Sequence, residues 1–128
     1  MFLEQTDSTE IDKSQKLLEE LKNLRKGNIA PFQEKIANDP DLLKAFLEQY
    51  KNAYANDFTI PRKYVELIMM ALGVSRGVQT TINAHAGLAV KNGATVKEIA
   101  DVLRLVFFTC GVTALIPAAD IFTKIPEK

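Results

Sequence analysis

The chain has 128 residues, 47% of them hydrophobic and 25% charged, with sixteen basic and sixteen acidic side chains and a formal net charge of zero. That size suits one compact soluble domain of ordinary composition. The balanced charge speaks against nucleic acid, whose binders carry a basic excess to displace counterions, and the longest uncharged run, residues 105–119, is shorter than the roughly 20 residues that a membrane-crossing helix needs.

The N-terminal stretch "TDSTEIDKSQKLLEELKNLRKG" reads as a helix. Asp7, Ser8 and Thr9 are cap-type residues, acids follow in the first turn, and Arg25 and Lys26 close it before Gly27, expected at the left-handed position after the helix. Leu17, Leu18, Leu21 and Leu24 form its apolar stripe. The cluster Lys22, Arg25 and Lys26 reads as part of a solvated face. A short helix is expected after Pro31, then a clearer one with Asp39 as cap and Pro40 at its first position. Leu42, Leu43, Phe46, Leu47, Tyr50 and Tyr54 lie on one side of that helix.

"TIPRKYVELIMMALG" comes next, with Pro61 early and Gly73 at the expected stop. Its apolar residues cover most of the circumference, so the helix is expected to be buried nearly all round, with Met69 and Met70 as core filler. After a loop at Ser75, Arg76 and Gly77, a helix runs from about Val78 to Lys91 and ends at Asn92-Gly93. Thr95 and Glu98 make a capping box for the following helix, which Gly111 interrupts. "VTALIPAADIFTKI" is expected to continue as a last helix, bent at Pro117. No segment alternates with period two, so the fold reads as all-α with six or seven helices. Residues 1–128 read as a single domain, with 1–38 as a helical extension and 39–125 as the core.

The segment from Ile99 to Ile125 is more apolar than a small monomer's surface allows. Val106, Phe107, Phe108, Val112, Leu115, Ile116, Ile121 and Phe122 cannot all face one small core. Subunit packing is the reading we favour, which predicts a homo-oligomer. The lone Cys110 cannot form an internal disulfide, no secretory leader pattern stands at the N-terminus, and a cytoplasmic location is expected. Cys110 lies in an apolar stretch and is expected to be a buried, inert thiol.

The single histidine, His85, carries the chemistry that the sequence offers. Val78, Thr81 and His85 stand three and four apart, on one helix face. Glu66 lies on the preceding helix, and a short connection makes the two helices antiparallel neighbours. Glu66 can then approach His85, and a carboxylate that fixes the tautomer of an imidazole makes a proton-transfer unit. Arg62, one turn before Glu66, offers the carboxylate a structural ion pair instead. Arg76 can stay solvated or hold a substrate carboxylate, and Thr81 can offer its hydroxyl to a ligand or to its own helix. No spacing of metal ligands is present, so no metal is expected, and there is neither a glycine-rich phosphate loop nor a nucleophile elbow.

The run Glu66, eleven residues, Val78, two residues, Thr81, three residues, His85 resembles the Glu-x11-Cys-x2-Cys-x3-His motif of the carboxymuconolactone decarboxylase and alkylhydroperoxidase D-like superfamily. "HAGLAVKNGATVKEIADVL" and "TCGVTALIPA" are similar to the stretches that follow the motif there, and the likeness covers about residues 40 to 122. Val78 and Thr81 stand where the peroxidase branch has its two cysteines. The resemblance therefore argues against dithiol peroxidase chemistry, which needs both thiols. It implies a compact alkylhydroperoxidase D-like domain assembled as a trimer or hexamer. It also implies a cofactor-free lyase acting on a small lactone or keto acid, in which His85 and Glu66 are expected to be catalytic; Arg76, Thr81 and Val78 are our candidates for contact with the substrate. A redox protein using Cys110 alone, or a non-catalytic oligomeric binding protein, are the alternatives.

Overall fold

A computed structural model of the chain describes residues 2–127. Among them are seven α-helices and no strand: α1 (Ser8–Leu24), α2 (Pro31–Ile36), α3 (Pro40–Ala53), α4 (Arg62–Arg76), α5 (Gln79–Lys91), α6 (Val96–Cys110) and α7 (Leu115–Ala118). Single turns of 3-10 helix, Val112–Ala114 and Ala119–Ile121, flank α7. Contacts divide the chain into two compact units, Met1–Asp57 and Phe58–Lys128.

The first unit holds α1, α2 and α3. Asp7 caps α1 by accepting from the amides of Thr9 and Glu10, at 2.9 and 3.1 Å. The helix ends one residue earlier than its glycine suggests. Lys26, not Gly27, takes the first left-handed position, with φ of 55°, and the Gly27 amide reaches back to the Lys22 carbonyl at 2.8 Å. Buried Gln33 turns its Oε1 back to the Ala30 amide at 2.8 Å and also accepts from Arg25. Leu21, Leu43 and Leu47 form the core of this unit. Phe46, Tyr50 and Tyr54 make a ladder of ring contacts along α3, whereas Leu42, expected on the packed side, is half exposed.

The second unit packs α5 and α6 against α4, with α7 and its flanking turns beside them. Its core is built from Leu67, Met70, Val74, Ile82, Ala86, Ala89, Ile99, Leu103, Val106 and Ala118. α4 does not stop at Gly73. It continues to Arg76, and Gly77, at φ of 70°, turns the chain into α5 after a connection of only two residues. Gly73 has another task. A Cβ placed there would lie 2.9 Å from Thr81 Cγ2 and 3.1 Å from the Ile82 backbone nitrogen. Its missing side chain is what lets α5 lie this close to α4.

α4 is also not buried all round. Val65, Glu66, Leu67, Met70, Gly73 and Val74 are covered, while Tyr64, Ile68 and Leu72 form an open apolar stripe four residues apart. Within one chain α5 and α6 cover only one side of the helix. Met70 is core, as expected, and Met69 is half buried.

The Thr95–Glu98 capping box forms at the start of α6, with both hydrogen bonds at 3.1 Å. The expected single C-terminal helix is instead broken into a 3-10 turn, one turn of α-helix and a second 3-10 turn. Pro117 offers no amide for a longer ladder, and Gly111 has already redirected the chain at φ of 82°. Cys110 is exposed rather than buried. Its position continues the buried stripe Ile99, Leu103 and Val106, but it is the last residue of α6, beyond the last covered neighbour.

Candidate active site

The α4–α5 hairpin is the frame of the site. Its two helices lie close together where Gly73 meets Thr81. Two turns back along α4 stands Glu66, and one turn on along α5 stands His85. The helical periods bring these two side chains into the same seam, and His85 Nδ1 lies 2.7 Å from Glu66 Oε2.

A carboxylate only accepts hydrogen bonds, so this geometry assigns the proton of the pair to Nδ1. In the neutral ring Nε2 then carries the lone pair, and Nε2 is the atom that gains or loses a proton. The two partners differ in burial. The Glu66 side chain is 2% exposed and that of His85 14%. The histidine is the more exposed member of the pair.

A buried carboxylate is costly unless charge and hydrogen bonds compensate it. Glu66 has both, since Arg62 Nη1 stands 3.5 Å from its other oxygen, one turn earlier on α4. The Arg62 guanidinium also lies over the Phe58 ring, 5.2 Å from its centroid. Nearby, Lys63 Nζ reaches from α4 to Glu98 Oε2 on α6 at 2.9 Å. The hydrogen bond from Lys63 holds the Glu98 carboxyl below its ordinary value, and Glu98 in turn holds the Lys63 ammonium above its own.

The other sequence-derived candidates are placed differently. Thr81 is half buried on the seam, its methyl group against the Gly73 backbone. Val78 is exposed and extended, the residue just before α5 rather than part of its face. Arg76 is exposed in the last turn of α4, ten residues beyond Glu66. At 1.5 Å per residue that is about 15 Å along the helix. Sequence reasoning named Arg62 only as a structural partner and did not find the Lys63–Glu98 bridge. Nothing in the spacing of residues 63 and 98 signals it, because it depends on how α6 lies against α4.

Two clefts lie elsewhere. One, of about 390 Å³, is in the first unit between Leu18, Lys22 and Glu34. The other, about 410 Å³ and almost wholly apolar, is lined by Leu103, Arg104, Phe107, Leu115 and Phe122. Neither includes Glu66 or His85. Among the described residues no three or more His, Cys, Asp or Glu side chains come together as a metal could require.

An all-helical fold around a Glu–His hairpin places the chain in a known structural class. The structure is similar to the crystal structure of the alkylhydroperoxidase AhpD core from Rhodospirillum rubrum, with a TM-score of 0.69, 22% identity, and coverage of 97% of this chain and 94% of that one. The fold is thus alkylhydroperoxidase D-like. The model of the carboxymuconolactone decarboxylase family matches residues 40–124, and the chain belongs to that family. No curated protein matches its sequence.

Proposed function

We propose that the chain is a cofactor-free lyase of the carboxymuconolactone decarboxylase type, acting on a small lactone or keto acid. The observation that carries the reading is the 2.7 Å contact between a partly accessible imidazole and a buried carboxylate. In such a decarboxylation the electron pair of the breaking carbon–carboxylate bond flows into a conjugated carbonyl and CO₂ leaves. The resulting enolate carbon needs a proton. Protonated His85 supplies it from Nε2, while the Nδ1 proton stays on the ring, donated in a hydrogen bond to Glu66. The imidazolium next to the enolate also stabilises the charge that develops there.

Thr81, one turn before His85, and Val78, in the turn that closes the hairpin, form the wall of the same site in this reading. In this reading a second copy of the chain closes the pocket. We therefore include a homotrimer or homohexamer in the proposal. The exposed apolar residues of α4 and α6 support assembly.

The test is CO₂ release from 4-carboxymuconolactone by the wild type and by His85→Ala. Turnover in the wild type is expected, with a loss of at least about a hundredfold in the variant, the usual worth of a positioned acid. Full activity in His85→Ala would remove the role of the histidine. No turnover in the wild type would remove this substrate.

A second reading rests on the exposure of Cys110. A single thiol can reduce a peroxide to its alcohol or water, becoming a sulfenic acid that an external thiol must then reduce. Peroxide consumption that requires Cys110 and an added thiol would favour this reading over the lyase.

A further inference from the structure

Away from the histidine, the second unit holds an apolar cleft between α6 and the turns that follow it. We propose that this cleft binds an amphiphile with a medium-length hydrocarbon tail and a carboxylate head, the tail lying on Leu103 and two phenylalanine rings and the head against Arg104. The cleft takes no residue from α4 or α5, so the inference goes beyond the lyase reading and stands whatever His85 does.

Shape is the first support. The cleft measures about 410 Å³, within the range of about 300–1,000 Å³ that small-molecule pockets occupy. Its floor is Leu103, a buried member of the core, and its walls are Phe107 on α6 and Leu115 and Phe122 beyond it. Ala100 and Ala119 are small and leave the width open. Phe107 and Phe122 are 46% and 36% exposed, so water stands on apolar surface that a hydrocarbon tail would cover. Both walls are held in place. On one side α6 is fixed by Ile99, Leu103 and Val106 in the core. On the other, Ala118 is fully buried, and the Gln79 side chain of α5 donates to the Pro117 carbonyl at 2.9 Å. A ligand then binds without the cost of ordering the walls.

Charge selects the head group. Six of the seven lining residues are apolar, and the seventh is Arg104. At about 3.6 residues per turn, Leu105 and Phe108 lie about 120° around α6 from the cleft face. That open stripe is therefore a separate surface. Arg104 falls between the two and pairs with Asp101 on the side away from the cleft. The two side chains are 74% and 51% exposed, and pairs this open to water hold weakly. A carboxylate at the mouth of the cleft offers the guanidinium the same charge as Asp101, and can be taken through two parallel hydrogen bonds. A hydroxyl head would gain no ion pair there, and an ammonium head would meet a like charge.

Isothermal titration of the full-length protein with decanoate, decanol and decyltrimethylammonium, each below its micelle concentration, tests the proposal. Decanoate is expected to bind about three- to tenfold tighter than decanol, the worth of a charge-assisted contact at a solvated rim, and the ammonium to bind weakest. Arg104→Met should remove the difference and leave decanol unchanged. Asp101→Asn should tighten decanoate alone, because it removes the competing carboxylate. Ala119→Phe, which fills the width of the cleft, should abolish binding of all three. If circular dichroism shows Ala119→Phe to be unfolded, Phe107→Ala takes its place and should weaken all three. Absence of saturable decanoate binding would overturn the proposal, as would equal affinities for decanoate and decanol in the wild type, or a decanoate affinity that neither Arg104→Met nor Asp101→Asn moves. Binding that appears only on dilution to single chains would make a second copy the occupant of the cleft, and would overturn it as well.

Discussion

At position 73 one missing methyl group sets the geometry on which His85 and Glu66 depend. The Thr81 methyl and the Ile82 backbone occupy the space that a Cβ would need, at 2.9 and 3.1 Å. Backbone cannot swing aside as a long side chain can. Gly73→Ala should therefore push α5 from α4 and destabilise the protein by roughly 1–3 kcal/mol, the usual range for overpacking, as measured by urea unfolding. An unchanged midpoint would show that the hairpin adapts. The pairing of residues 66 and 85 was legible in the sequence because both periods are short and the connection between the helices is tight. The role of glycine 73 was not. In sequence a glycine near a helix end looks like a stop, and only the neighbouring helix reveals that it is a contact.

At the scale of the helices, the caps follow from local chemistry. Asp7, Asp39 and Thr95 each hold amide groups at the start of a helix, as their positions predicted. Lys26 is the exception. It occupies the left-handed position that glycine takes at no steric cost. Lys26→Gly is expected to stabilise the protein by about 0.5–1 kcal/mol, read as a higher urea midpoint, and a lower midpoint would contradict the assignment. Between α4 and α6 the Lys63–Glu98 bridge predicts a pH dependence. Glu98 is held below 4.5, so its contribution is present above that pH and fades as pH falls through the lowered value. Lys63 is held above 10.5, so its contribution is present below 10.5 and fades as pH rises through the raised value. Both side chains are about a quarter exposed, so solvent keeps the effect small. Lys63→Met should flatten the acid limb of a stability–pH curve, and an identical limb would show that the pair is idle.

For the whole molecule, the apolar surface is the open account. Phe108 is 86% exposed, Ile116 72% and Leu105 68%, and the α4 stripe of Tyr64, Ile68 and Leu72 adds to them. Scattered apolar residues are normal on a surface, but runs of this kind mark contact sites. If the chain assembles as proposed, Phe108→Glu should lower the mass measured by light scattering towards one chain while leaving the helical circular dichroism intact. A wild type that is already monomeric would end the assembly proposal.

By itself the sequence determined the helical class, most of the caps, the family, and the partnership of Glu66 with His85. These depend on spacing within or between adjacent segments, which helical geometry converts directly into position. The tertiary structure alone decided where α4 ends and why, that Cys110 is exposed, that Arg76 stands far from the pair along α4, and that Lys63 meets Glu98. Each of these depends on what lies across from a residue rather than beside it in the chain. The packing of distant segments is settled by the shapes of their faces, which a linear pattern does not record.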